Sequence, residues 1–401
     1  MSLPTVCYRC KRRYRDDYRA RCACGEPVWF DHESTAFDLS SHRDETGMWR
    51  HAELLPIDVP DGIATAAGDT PLIRSRRLDE VAGCRVYVKD EGENPTGSYK
   101  DRGSAVAVPQ AIQQGTDVVG TVSYGNMALS TAAHAASLGC ECVVLVPADI
   151  SPGRLELIAQ YGPTILRVEG DYSKLYDEAL QLTRDLPISF LLSDAPGRIS
   201  GYKTALFEIY DSLYPEIPDA IALPASSGGF ASGVWRGILD LQHAGVIDSP
   251  PRLYLIQTAA SDPITRAYTA DQDEVSALAP DAVGETIAHS IGNPDPPSGT
   301  RALTAVGETG GAVCSVTDDE IRDATRQFAQ RGGFCVEPAS ATPLAGVRHL
   351  TRRGEIDEDE TVVLLPTGTG FKELGTGTAS IQTETVSRTA LSSRLESLLS
   401  S

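Results

Sequence analysis

The stretch that most constrains this chain runs from residue 118 to residue 147. Val118-Val119-Gly120-Thr121-Val122 is an apolar run of strand length. Met127 to Leu138 has the small, apolar composition of a helix, and Cys142-Val143-Val144-Leu145-Val146-Pro147 is a second strand-length run. Two continuous apolar runs separated by one helix read as a βαβ unit with parallel strands. Parallel sheets are covered by helices on both faces, so the stretch points to an α/β fold. The rhythm recurs. Two further βα-like units span 154–192, through Leu166-Arg167-Val168 and Leu191-Leu192-Ser193. Ala220-Ile221-Ala222-Leu223-Pro224 precedes a helix carrying Trp235 and Leu239, and Thr361-Val362-Val363-Leu364-Leu365-Pro366 is a last strand. With 401 residues and 41% hydrophobic content the chain can build one large or two medium domains around a real core.

One strand-to-helix junction carries chemistry. Val86-Tyr87-Val88 reads as a strand, Asn94-Pro95-Thr96-Gly97 as a turn, and Gly103 to Gln114 as a helix of small residues. Lys100 sits where turn meets helix, held by scaffold yet open to a ligand. The chain has only six lysines against 29 arginines. Arginine serves as a generic cation but stays protonated, whereas a partly buried lysine readily loses its proton and can attack a carbonyl. An isolated lysine here would read as surface charge; the neighbouring residues change that.

Three other turns share the geometry. Ser123-Tyr124-Gly125-Asn126-Met127 lies at the carboxyl end of a strand, where open α/β sheets bind ligands. Asn126 offers donor and acceptor, and the backbone amides from Ser123 to Met127 can hold a carboxylate at a helix start. Ser226-Ser227-Gly228-Gly229-Phe230 joins a strand to a helix and turns several N–H groups toward one point, an anion cradle. Thr367-Gly368-Thr369-Gly370 follows the last strand. Each turn alone is weak; their order is informative.

Asn94-Pro95-Thr96-Gly97-Ser98-Tyr99-Lys100-Asp101-Arg102-Gly103 resembles the lysine motif of fold-type II pyridoxal-phosphate (PLP) enzymes, and its Ser-Tyr-Lys-Asp-Arg form looks most like threonine synthases. Gly68-Asp69-Thr70-Pro71-Leu72, Ser123-Tyr124-Gly125-Asn126, the run from Arg198 to Thr204, Ile291-Gly292-Asn293-Pro294, Glu337-Pro338-Ala339-Ser340-Ala341 and Thr367-Gly368-Thr369-Gly370-Phe371-Lys372 resemble further segments in the family's order. The resemblance covers residues 66 to 373. It implies two domains, each a twisted, mostly parallel sheet flanked by helices, assigned to 66–102 with 201–375 and to 103–200. It implies Lys100 as the amine that holds PLP and shuttles protons. Asn126 would meet the cofactor's 3-hydroxyl, Ser226 to Phe230 its phosphate, and Thr367 its pyridine nitrogen. Ser123, Tyr124, Gly125 and Met127 would face an amino-acid substrate, and Arg154, Ser193 and Arg198 a second anion, the substrate phosphate.

The implied reaction is that of threonine synthase: O-phosphohomoserine loses phosphate from its γ carbon and takes water at the β carbon. Two departures stand against it. Met127 occupies a position where the family carries a hydroxyl residue, and Leu192 precedes Ser193 where it tends to carry Asn. The alternatives are a β-replacement on phosphoserine, as in cysteate synthase, or a serine/threonine ammonia-lyase. His289 lies near the expected active-site mouth, and we give it no catalytic part.

Residues 1–30 stand apart. Cys7-x-x-Cys10 and Cys22-x-Cys24 are two knuckles that can present four thiolates to zinc; the alternative is a ribbon that folds without metal. Residues 31–65 read as a linker with one short helix, and 376–401 as a loose tail or docking helix with Leu391, Leu395 and Leu398. Net charge of −20 disfavours nucleic acid. That acidity with so few lysines suggests a halophilic surface. Met1 to Arg13 lacks an apolar signal core, and no 18-residue apolar run suggests a membrane span. A soluble cytoplasmic enzyme, a homodimer like its relatives, is the expectation.

Overall fold

A computed structural model describes residues 4–15, 19–31, 47–170, 174–373 and 383–399. Thirteen strands among them form three sheets. Strands β1 (Thr5–Cys7), β2 (Arg13–Tyr14) and β3 (Val28–Phe30) make a small antiparallel sheet in the order β2-β1-β3.

The larger sheet takes β4 (Leu72–Arg74) and β5 (Arg85–Lys89) from one part of the chain. From a later part it takes β10 (Ala220–Pro224), β11 (Arg252–Thr258), β12 (Ala312–Val316) and β13 (Thr361–Leu364), in the order β12-β11-β10-β13-β5-β4. Only the β4–β5 pair is antiparallel. Val86, Val362 and Ala220 stand side by side across β5, β13 and β10, and all three are buried. Every residue of β10 is buried, which is why its sequence is a continuous apolar run.

Between these two parts, β6 (Val118–Val122), β7 (Glu141–Pro147), β8 (Thr164–Val168) and β9 (Ile188–Phe190) form a wholly parallel four-stranded sheet in the order β8-β7-β6-β9. The run Leu191-Leu192-Ser193 lies just past β9: its leucines are buried, but as a loop.

The two larger sheets are joined by the helix Lys100–Gln113, which packs along the helix Pro196–Tyr202. The approach is close enough that a Cβ on Gly201 would stand 1.9 Å from the Arg102 carbonyl, and one on Gly103 would stand 2.6 Å from the Tyr202 ring. Residues 47–67 are more than a connection. They make 3-10 turns at Gly47–Leu54 and Gly62–Ala66, and the buried Trp49 donates its indole N–H to Ala64 O at 2.7 Å. Trp49 packs with Ala105 and Val106 of the Lys100 helix. The rest of the expected linker, 32–46, lies outside the described residues, as does 374–382. In the expected tail, Leu391–Leu399 is a helix whose leucines 391, 395 and 398 are exposed. Among the described residues no helix is long and apolar enough to cross a membrane.

Candidate functional site

The carboxyl ends of three adjacent strands, β5, β13 and β10, lead to Lys100, Thr367 and the Ser226–Gly229 loop. The carboxyl end of β6, central in the other sheet, leads to Ser123–Asn126. Loops at strand carboxyl ends are where α/β sheets bind ligands.

Lys100 is the first residue of its helix, and both residues after it are anchored. Asp101 accepts the Thr96 amide at 2.6 Å and the Thr96 hydroxyl at 2.8 Å, fixing the turn. Arg102 has no exposed surface and makes two forked ion pairs. Its Nε and Nη2 reach Glu91 at 2.7 and 2.8 Å, and Nη1 and Nη2 reach Glu208 at 2.7 Å each. Lys89 adds a 2.6 Å bond to Glu208, so two cations meet two carboxylates. Those charges hold Glu208 far below the usual carboxylate range despite burial. Bidentate pairs of this kind fix geometry as well as charge.

The Lys100 amine, by contrast, has no ion pair among the described residues. It lies 4.5 Å from the centre of the Tyr99 ring and 5.7 Å from that of Tyr202. Burial, and then the nearby Arg198 charge, push its pKa down to about 7, with Glu337 opposing. An amine poised near neutrality is both a nucleophile and a proton carrier.

Around it the loops interlock. The Tyr99 amide donates to Thr367 O at 3.0 Å, and the Thr369 amide to Gly97 O at 3.0 Å. Ser340 Oγ accepts the amides of Thr367 and Gly368 at 3.0 and 2.8 Å and shares a 3.0 Å hydrogen bond with the Thr367 hydroxyl. Asn126 begins the helix Asn126–Ser137, which has no side-chain cap. Its Nδ2 donates to both oxygens of Glu337, at 3.1 and 3.0 Å, while Lys372 Nζ donates to its Oδ1 at 2.6 Å. Lys372 also donates to the carbonyls of Thr96 and Gly97, at 3.1 and 2.8 Å. Burial raises the Glu337 carboxyl and lowers the Lys372 ammonium.

The Ser226–Phe230 turn opens the helix Gly229–His243, again uncapped by any side chain. Gly228 has φ of +80°, and a Cβ there would stand 2.4 Å from Ser298 O. Phe230 turns inward and stacks on Tyr99, ring centres 4.2 Å apart. Its side chain therefore packs beneath the site, and its backbone belongs to the cradle's first helical turn.

The expected pocket for a second anion looks different. Arg198 has no exposed surface. Its Nε donates to Leu191 O at 3.1 Å, Nη1 to Ser104 at 2.9 Å and Nη2 to Thr131 at 2.7 Å. It is tied down beneath the loops rather than placed at a mouth. Ser193 is buried with its carbonyl against Gly229, where a Cβ would stand 2.6 Å away. The side chain of Arg154 lies outside the described residues. Ser123 Oγ accepts the Gly125 amide at 3.2 Å, Tyr124 is half-buried, and Met127 is buried. His289 is exposed in a 3-10 turn, His289–Ile291.

The four N-terminal cysteines do converge. Cys7, Cys10, Cys22 and Cys24 place all four sulfurs within 4.8 Å of one another. Burial pushes Cys7 up to about 12. Burial acts on Cys22 too, but the Cys24 amide and the Tyr14 hydroxyl, 3.2 Å away, bring it down to about 6. Four convergent thiols with one thiolate already favoured suit zinc.

The residues present fit PLP. An unpaired, partly buried amine suits an aldehyde, an uncapped helix behind a glycine-only turn suits a phosphate, and a threonine hydroxyl held by Ser340 suits a pyridine nitrogen. Sequence reasoning did not find the bridge from Glu337 through Asn126 to Lys372, nor the Arg102 anchor. A lysine kept at 372 in a lysine-poor chain was the available signal.

Residues 63–368 match the family described as pyridoxal-phosphate dependent enzyme. The chain is 36% identical over 376 residues to a threonine synthase of Methanocaldococcus jannaschii, covering 92% of each chain. It is 36% identical over 378 residues to one of Methanosarcina acetivorans, covering 92% of this chain and 91% of the other. The processed form of threonine deaminase isoform 2 from Solanum lycopersicum superposes with a TM-score of 0.66 at 18% identity, covering 92% of this chain and 96% of the other; at that identity the likeness is one of fold. The chain belongs to the pyridoxal-phosphate dependent enzyme family, on the branch of the threonine synthases.

Proposed function

We propose that this chain is a PLP-dependent threonine synthase, a lyase that converts O-phosphohomoserine and water into threonine and phosphate. One observation carries the reading: identity of 36% to a threonine synthase extends over 92% of both chains. The solved relatives with other activities share the fold at lower identity.

Bound PLP supplies the electron sink for removing protons and leaving groups next to an amino-acid carbon. The chain's own residues do the rest. Lys100 holds the cofactor and then, as a free amine near neutrality, carries protons between substrate carbons. Ser226 to Phe230 bind the phosphate, Asn126 the 3-oxygen and Thr367 the ring nitrogen. Lys372 and Glu337 fix the Asn126 amide between opposite charges, so its donor and acceptor cannot exchange places. The amides from Ser123 to Met127 hold the substrate carboxylate at an uncapped helix start. A phosphorylated substrate belongs to the same reading, with Ser193 and Arg154 on the phosphate side and Arg198, committed to Leu191, Ser104 and Thr131, lending only its charge from beneath the loops. So do a structural zinc at Cys7, Cys10, Cys22 and Cys24, a homodimer, a cytoplasmic site and a surface adapted to high salt.

Purified protein given PLP and O-phosphohomoserine in molar potassium chloride should release phosphate and threonine in equal amounts, and Lys100→Ala should release neither. Phosphate without threonine would move the assignment to an elimination that ends differently, with Met127 the residue to examine. No product from cofactor-loaded protein would overturn the reading and favour phosphoserine, serine or threonine as substrate.

A further inference from the structure

Arg21 lies one residue before Cys22, yet its side chain leaves the cysteine segment and enters the body of the protein. Its Nη2 donates to the Tyr176 hydroxyl at 2.9 Å and pairs with Asp194 Oδ2 at 2.9 Å, and its Nη1 donates to Pro297 O at 3.0 Å. Asp194 is buried and also accepts from the Tyr176 hydroxyl and, at 3.1 Å, from Ser298 Oγ.

Ser298 and Asp194 both stand against the Ser227–Gly229 turn. The Ser298 amide donates to Ser227 O at 2.9 Å, and the Ser298 carbonyl closes on Gly228. Asp194 directly follows Ser193, whose carbonyl closes on Gly229. A second arginine approaches the same point. Arg301 has no exposed surface, donates to Ser298 Oγ at 3.0 Å and to Ser232 Oγ at 2.9 Å, and lies 5.9 and 5.7 Å from the ring centres of Tyr8 and Trp29. Two guanidinium groups and one carboxylate therefore stand behind the turn. Glu26 also acts on Arg21 but is itself paired with Arg9 at 3.1 Å, so the buried trio keeps one positive charge in excess. Such an excess in a low-dielectric setting attracts an anion more strongly than surface charge does.

We propose that the cysteine segment is a working part of the cofactor's phosphate site. Arg21 pins Asp194 and, through Ser298, the Ser227–Gly229 turn, and it supplies part of the positive charge behind that turn. Arg21 is a positioning residue: it acts through Asp194 and Ser298 and does not touch the cofactor. The proposal rests on reading this turn as the phosphate cradle of PLP.

The test compares PLP with pyridoxal, which has the aldehyde and lacks the phosphate. Binding of each to the full chain is read by the absorbance of the bound cofactor in wild type, Arg21→Met, Arg21→Lys and Ser298→Ala. Arg21→Met should weaken PLP by about ten-fold and pyridoxal by less than about two-fold, with Arg21→Lys between it and wild type. Ser298→Ala keeps the Arg21–Asp194 ion pair and the backbone contacts of residue 298 with the turn, and removes the hydroxyl that joins Asp194 and Arg301 to it. It therefore stands if Arg21→Met fails to fold; it should weaken PLP selectively by about three-fold. A wild type that binds PLP, with variants whose PLP-to-pyridoxal affinity ratio is unchanged, overturns this proposal alone. A wild type that binds no PLP overturns the functional reading and this one with it.

Discussion

The two sheets that face the site are buried to very different degrees. In the six-stranded sheet every residue of β10 and nearly all of β13 are buried, and Lys100, Thr367 and the phosphate cradle follow its strands. In the four-stranded sheet β6 is buried through its middle, but the edge strand β8 has no buried residue, with Leu166 47% exposed, and Leu186, just before β9 at the other edge, is 46% exposed. Asn126 and Ser123 come from that side. Local opening costs least where few apolar contacts must be broken. Most residues assigned to hold the cofactor (Lys100, the Ser226–Phe230 turn and Thr367) thus stand on the firmer sheet, while Asn126 and the residues assigned to the substrate carboxylate stand on the softer one. Lys372, reaching across to Asn126, and the Lys100 helix, spanning both, tie the two together.

The contrast can be broken at several points. Arg102→Met should have the largest effect, since it strands Glu91 as a buried charge and leaves Glu208 with Lys89 alone: about 3–5 kcal/mol of stability is lost, read by denaturant unfolding of the apoprotein. A loss below about 1 kcal/mol would mean that the firm side is not anchored there. Leu364→Ala, in β13, should cost about 2–5 kcal/mol.

A smaller effect depends on pH. The unfolded chain keeps the Lys100 proton up to the ordinary value of 10.5, and the folded chain releases it near 7. The penalty for burying this amine is therefore complete below pH 7 and fades as pH rises toward 10.5. Lys100→Ala should stabilise the apoprotein by several degrees at pH 6.5 and by progressively less toward pH 10; a difference that does not change with pH would refute this account. The smallest effect should be that of Leu166→Ala in β8, within about 0.5 kcal/mol. If it matched Leu364→Ala, the two sheets would be equally firm and the contrast would be lost.

Strands buried on both faces were legible in the chain. The runs 118–122 and 220–224 are strands at those bounds, because their buried positions are filled almost wholly by apolar side chains, Thr121 being the exception. The lysine turn was legible too, through Pro95, Gly97 and the small residues after Lys100. Leu191 and Leu192 were misleading: burial alone does not make a strand. Arg198 was harder still. A long cation is ordinarily found at the surface, and what permits its burial is a carbonyl, Ser104 and Thr131, brought together from three places in the chain. The bridge from Asn126 to Glu337 joins residues 211 apart, and no local pattern encodes it.

Of the six lysines, Lys89 and Lys203 are buried and paired, Lys100 and Lys372 are half-buried in the site, and only Lys11 and Lys174 are exposed. A reagent that acylates amines would find two open side chains on the native surface. The next amines within its reach would be the pair at the heart of the molecule, one of them uncharged for much of the time at neutral pH. Lysine acylation, which in most proteins reports on the outside, would here report on the interior.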